Sequence, residues 1–210
     1  MTARPVAACR LYLCTPDRAD LVEFVTACIS GGVDIVQLRE KQLEAKPLLQ
    51  RAALLRTVCA DHGVPFILND RPDLALEAGA DGVHVGQDDA PAGLGRRLLG
   101  PDAIVGLSTH SARDLEGALP EPVDYISAGP VEETPTKPGR PGTGLDYLAL
   151  ATERSAVPVF VTGGVTPERI APLAAAGARH FVVVRYLTQS EHPADAARRL
   201  RQAIDEAVGS

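Results

Sequence analysis

The chain alternates short, β-branched apolar runs with longer stretches rich in Ala, Leu and Arg. The apolar runs are CRLYLC (9–14), DIVQL (34–38), PFILN (65–69), GVHVG (82–86), AIVGLS (103–108), VDYISA (123–128), VPVFVT (157–162) and HFVVV (180–184). Their length and β-branched content predict strands. Helical patterns follow near 19–30, 44–62, 72–79, 91–99, 111–118, 145–153, 167–176 and 193–207. Eight strands, each followed by a helix, predict parallel strands joined by crossover helices. A length of 210 residues suits a single (β/α)8 TIM barrel domain spanning 1–210. An open doubly wound sheet is the other arrangement this order allows. Punctuation agrees with the register: EAGADG (77–82) and AAGARH (175–180) each place a Gly after a helix, as helix C-caps do. Thr166-Pro167 reads as an N-cap with Pro at the first helical position.

Polar residues gather where the predicted strands end. In VQLREK (36–41), Gln37, Arg39 and Lys41 fall at every second position, so they share one face of the strand while Val36 and Leu38 take the other. Leu38 is therefore expected to point outward and pack under a helix. Strand three ends in Asn69-Asp70, strand four runs into GQDD (86–89), and strand five ends at Ser108. Strand seven ends in TGG (162–164) and strand eight in Val184-Arg185. In barrel enzymes the active site is assembled from these loops on one face, so residues scattered in sequence become neighbours in space.

Each group has a chemistry. Asp70 and Asp89 sit on consecutive strand ends, where two carboxylates plus water and phosphate oxygens describe a Mg2+ site. Each is also a residue type that caps turns and helices. Arg39 offers a planar fork to phosphate oxygens and Lys41 a mobile point charge, although Glu40 lies between them as an ion-pair partner. Lys137 lies in a loop (129–144) holding four prolines and four glycines, flanked by Thr134, Thr136 and Arg140. Such a loop is either a lid carrying donors over an anion or a flexible crossover. Gly163-Gly164 precedes a helix start at Thr166, and loops seven and eight are the usual phosphate position of this fold, with Arg185 beside them. His84, in phase with Gly82 and Gly86, reads as a satisfied core histidine.

Composition removes other classes. A net charge of -6 argues against bulk affinity for nucleic acid or an anionic membrane, so cations for an anionic ligand must be clustered locally. No apolar run approaches the roughly 20 residues needed to span a bilayer, and MTARPVAACR lacks a signal-type apolar core. Cys9, Cys14, Cys28 and Cys59 form no CxxC and are expected as buried free thiols in a reducing cytoplasm. No GxSxG occurs, which disfavours acyl-transfer hydrolysis. The layout calls for two anionic, phosphorylated small molecules. Several cations and a metal around one of them suit a diphosphate leaving group.

QLREK (37–41), ND (69–70), ADGVHVGQDD (80–89), GLS (106–108), GP…TPTK (129–137), GL (144–145) and TGGVTPE (162–168) resemble, in order, the thiamine-phosphate synthase family. The resemblance runs from about Leu11 to Leu200. It implies a (β/α)8 barrel that joins 4-amino-5-hydroxymethyl-2-methylpyrimidine diphosphate to a thiazole phosphate, giving thiamine phosphate and diphosphate. Position by position it assigns Gln37, Leu38, Arg39, Glu40, Lys41, Asn69, Ser108 and Lys137 to the pyrimidine diphosphate. Arg39, Lys41, Ser108 and Lys137 would act on the leaving group. Asp70 and Asp89 fall to Mg2+, and Thr134, Pro135, Thr136, Gly164, Val184 and Arg185 to the thiazole phosphate. Many members resemble Val-Ser at the last strand end, where this chain has Val184-Arg185. A related barrel, the thiazole tautomerase, and a non-catalytic barrel that binds thiamine phosphates are the alternatives; Asp70, Asp89 and Lys137 together argue against the first. The sequence leaves a homo-oligomer open.

Overall fold

The computed structural model describes residues 4–133 and 141–209. Eight parallel strands close into a barrel in sequence order: β1 (Leu11–Thr15), β2 (Ile35–Leu38), β3 (Phe66–Asn69), β4 (Gly82–Val85), β5 (Ile104–Thr109), β6 (Tyr125–Ala128), β7 (Val159–Val161) and β8 (His180–Val183). The ring is completed by β8 pairing with β1, Leu11 opposite Phe181. Crossovers are α1 (Leu21–Ser30), α2 (Ala45–His62), α3 (Pro72–Glu77), α4 (Ala92–Leu99), α5 (Ala112–Ala118), α6 (Gly144–Arg154) and α7 (Pro167–Ala175). The predicted strands and their order are all present, and the open-sheet alternative is not formed. Two short elements were not expected, a 3-10 turn before β1 and a single-turn helix, α8 (Arg185–Thr188), between β8 and α9 (Pro193–Val208). Four residues are too few to show a helical period.

Helix ends follow the punctuation in part. Gly79 (φ 63°) and Gly177 (φ 101°) take up the left-handed conformation just beyond α3 and α7, which a Cβ would disfavour. Thr166 does precede α7, with Pro167 at the first turn, but its hydroxyl donates to Glu168 Oε2 at 2.7 Å and caps no backbone N–H. The local carboxylate outcompetes the weaker backbone contact.

Strand alternation divides the core into two layers. Outward residues such as Leu13, Val36, Leu38, Leu68 and Val83 pack against helix residues including Leu55, Ile170 and Leu200. Inward residues Tyr12, Ile35, Ile67, Tyr125 and Phe160 fill the lower barrel, with Val6 and Cys9 beneath them on and beside a short 3-10 turn (Val6–Ala8). Phe160 meets Tyr12 and Tyr125 edge-on, with ring centroids 5.4 and 5.0 Å away.

Gly106 makes room for this cluster. A Cβ there would lie 2.1 Å from Tyr125 Cζ. Gly106→Ala is therefore expected to cost about 3 kcal/mol, lowering Tm by roughly 6–12 °C. Gly117, within α5, has open space at its Cβ position. Gly117→Ala is expected to raise stability by about 0.5–1 kcal/mol. Urea unfolding of both variants checks the opposite signs.

At the lower face, the buried Asp34 carboxylate accepts from the Arg10 and Leu11 N–H groups and from Arg201 Nη1, each at 2.9 Å. Burial pushes its pKa up, while those N–H groups, Arg201 and Arg4 pull it back toward the ionised form. One side chain thus ties β1, the start of β2 and α9 together.

Candidate active site

The upper barrel is polar where the lower is aromatic. Above Tyr12, Ile35, Ile67, Gly82 and Tyr125, the next inward positions are Cys14, Gln37, Asn69, His84 and Ser127. They form the floor of a cavity of about 520 Å³ opening at the carboxyl ends of the strands. Its walls carry Arg39 and Lys41 after β2, Asp70 after β3, Asp89 after β4 and Ser108 on β5. The opposite wall carries Gly163 and Gly164 after β7 and Val184 and Arg185 at β8 and α8. Residues as far apart in sequence as Cys14 and Arg185 thus line one cavity.

Side chains of Leu38 and Glu40, both expected at a ligand, do not reach it. Leu38 is fully buried in the outer core layer, as strand alternation requires. Glu40 turns back, accepting from the N–H groups of Gln42 at 2.7 Å and Asp17 at 3.3 Å. Thr134, Pro135, Thr136 and Lys137 lie outside the described residues, as does Arg140.

Lys41 and Arg39 differ in how they are held. Lys41 Nζ sits 2.8 Å from Asp70 Oδ2, so it pairs with the neighbouring strand end rather than with Glu40. Among the described residues, the Arg39 guanidinium has no ion-pair or hydrogen-bond partner, and it lines the cavity. Asn69, 8% exposed, likewise presents its amide to the cavity with no partner among the described residues. A donor set held toward a cavity and left unsatisfied is arranged for a ligand.

Asp70 is the one non-glycine residue of the described set with positive φ (63°). Asp tolerates this region better than most residues, and such outliers cluster at functional sites. The turn brings its carboxylate against that of Asp89. Burial, then the hydrogen bond with Asp89, push the Asp70 pKa up, against the pull of Lys41. Burial would also raise Asp89, but the hydrogen bond with Asp70, the Gly86 N–H at 2.8 Å and Lys41 outweigh it and hold its carboxyl low. Two carboxylates this close repel each other when both are ionised, and a cation between them would relieve that repulsion. Among the described residues no group of three or more His, Cys, Asp or Glu converges on one point. Two acidic ligands with the remaining positions left to water and phosphate oxygens is the way Mg2+ is commonly held, so the donors fit that ion.

The floor was underread from sequence. His84 is satisfied, as expected, but it also faces the cavity: Nδ1 lies 2.9 Å from the Tyr125 hydroxyl and Nε2 2.9 Å from Ser108 Oγ. Tyr12 and Tyr125 read as apolar strand residues, yet their hydroxyls meet at 2.9 Å. His110, which also lines the cavity, bonds Gly129 O through Nδ1. The signal available was the phase: each of these strands carries a polar side chain two residues beyond an inward apolar one or a glycine.

Fold and mouth together define a (β/α)8-barrel enzyme built around a cation-lined cavity. The family model described as Thiamine monophosphate synthase matches residues 11–187. The thiamine-phosphate synthase of Mycolicibacterium smegmatis is 44% identical over 210 aligned residues, covering 94% of this chain and 92% of that protein. That of Acidothermus cellulolyticus is 44% identical over 197, covering 91% and 93%. A solved thiamine phosphate pyrophosphorylase from Pyrococcus furiosus superposes with a TM-score of 0.88 at 28% identity, covering 97% of this chain and 98% of that one. The chain belongs to the thiamine monophosphate synthase family and is a transferase.

Proposed function

We propose that this chain is a thiamine-phosphate synthase that transfers the 4-amino-2-methylpyrimidin-5-ylmethyl group from its diphosphate to 4-methyl-5-(2-phosphooxyethyl)thiazole. The observation that carries the reading is the meeting, in one cavity, of a cationic and acidic wall after β2–β5 with a glycine-rich wall after β7 and β8. The first wall suits a diphosphate. Arg39 and Lys41 offset its charge and Asn69 and Ser108 supply donors; Lys137, outside the described residues, is the further cation that the family resemblance implies. The second wall suits a phosphomonoester, since Gly163 and Gly164 (φ 94° and 74°) let backbone approach it closely and Arg185 adds charge.

The reaction is dissociative. The methylene C–O bond breaks with its electron pair leaving on diphosphate, and the pyrimidine ring stabilises the methylene cation. The thiazole nitrogen lone pair then forms the new C–N bond, and no protein nucleophile is required. Arg39 and Lys41 favour departure because the leaving charge grows beside them. Asp70 and Asp89 would hold Mg2+, which when bound supplies further charge neutralisation at the diphosphate. The same reading places the protein in the cytoplasm, where phosphorylated small molecules and the four buried free cysteines are at home. No helix of the described residues is long and apolar enough to cross a membrane.

The test is diphosphate release with both substrates and Mg2+ supplied. Release is expected only when all three are present. Release that ignored the thiazole phosphate, or that persisted under full chelation, would overturn the mechanism. Tight ligand binding without any release would favour a binding protein.

A further inference from the structure

Beneath the cavity runs an unbroken line of buried hydrogen bonds: Cys14 to Gln37, Gln37 to Tyr12, Tyr12 to Tyr125, Tyr125 to His84, and His84 to Ser108. Four of the five contacts are 2.9 Å, and the thiol contact is 3.1 Å. Gln37, His84 and Ser108 are each at most 8% exposed and Tyr12 and Tyr125 at most 1%, so little water competes along the line.

A hydroxyl has one proton, so a line of this kind has a direction. The direction is set at Gln37. Its Oε1 accepts from the Cys14 thiol, and its Nε2–H donates to the Tyr12 hydroxyl. Reversing the amide would press an N–H on a sulfur that is a weak acceptor and leave the strong carbonyl acceptor facing Tyr12. Having accepted from Gln37, Tyr12 spends its single proton on Tyr125, its other neighbour. Tyr125 in turn donates to His84 Nδ1. A ring that accepts at Nδ1 carries its proton at Nε2 and donates it to Ser108 Oγ. Ser127 Oγ also donates to Ser108 Oγ, at 3.3 Å. Both Ser108 lone pairs are then occupied, and its own proton is left for the cavity.

We infer that Tyr12, Tyr125 and His84 are positioning residues: the Gln37-to-His84 line fixes Ser108 as a hydrogen-bond donor to an acceptor atom of the bound ligand. Under the proposed function that acceptor belongs to the pyrimidine diphosphate, a phosphate oxygen or a ring nitrogen, and the inference rests on that reading for the ligand alone. The direction of the line is a property of the substrate-free protein. A site meant to receive an acceptor gains by this arrangement, because the donor is oriented before binding and no hydroxyl has to turn at the moment of reaction.

The experiment reads the tautomer of His84 directly. The full chain is labelled with nitrogen-15 at its five histidines, and ring nitrogens are recorded without substrate at mildly alkaline pH, with His84→Gln used for assignment. Nε2–H with a bare Nδ1 is expected. A ring protonated at Nδ1, or at both nitrogens, overturns the inference. In Tyr125→Phe the donor to Nδ1 is gone and no acceptor replaces it, so the bias toward Nε2–H should weaken and a fraction of Nδ1–H should appear beside it. There kcat/KM for the diphosphate should fall by about tenfold with KM for the thiazole phosphate unchanged. A folded Tyr125→Phe whose His84 tautomer is unaltered also overturns it. If that variant does not fold, the wild-type spectrum decides alone. Because the spectrum needs no substrate, a protein that released no diphosphate would sink the proposed function and leave this result standing.

Discussion

Asp70→Asn is expected to lower kcat for diphosphate release by at least about 100-fold, close to 3 kcal/mol of barrier, with little change in thermal stability. Asn keeps the side-chain outline and is among the few residues at ease at the φ of 63° found there. The loss therefore isolates the charge. Burial and Asp89 raise the Asp70 pKa, so at lower pH a divalent cation must displace a proton from this carboxylate. The sign follows: as pH falls toward that raised pKa, the proton holds its place more firmly and the metal requirement climbs. In Asp70→Asn this coupling should vanish. Titrations of initial rate against Mg2+ at several pH values, run beside thermal unfolding, provide the check. Turnover within twofold of wild type at the same Mg2+ concentration would refute the metal assignment.

Arg39→Ala is the second large effect. Lys41 already has a carboxylate 2.8 Å away, whereas the Arg39 guanidinium is uncompensated among the described residues. Its charge is therefore available to a leaving diphosphate, and its removal should cost about 100-fold in kcat/KM for that substrate. Arg39→Lys restores charge without the two-pronged geometry and should recover part of the loss, to within about tenfold of wild type. The thiazole phosphate KM should not move. If it alone moved, the two subsites would have to be exchanged. Separate saturation curves for each substrate distinguish the cases.

How much of this was legible beforehand depends on the kind of signal. The eight strands were plain because β-branched runs and Gly-marked helix ends repeat with one rhythm. The strand-end residues Arg39, Lys41, Asn69, Asp70, Asp89, Ser108, Gly164 and Arg185 all line the cavity as their positions required. Leu38 and Glu40 followed the resemblance rather than the geometry, and their side chains lie elsewhere. Helix α8 was invisible because one turn has no period. The buried line of hydroxyls was missed for a different reason. A tyrosine in a strand announces apolar bulk, and only the closed ring shows that the phenols of β1 and β6, on nearly opposite sides of the barrel, point at each other. Asp34 was passed over too, since a lone carboxylate at a strand start gives no hint of the arginines that reach it from far along the chain.

That last contact bears on how the barrel is assembled. Each consecutive strand pair closes a short loop, and Asp34 meets Leu11 across only 23 positions. Arg201 reaches the same carboxylate across 167. Joining segments that distant costs about 2 kcal/mol more in chain entropy than joining near neighbours. The return of the chain's end to β1 is thus the ring's costliest join, and a buried carboxylate at the start of β2 fastens α9, the last helix, to the base of β1. Folding kinetics should see it as a late latch: Asp34→Asn would quicken unfolding far more than it slows folding.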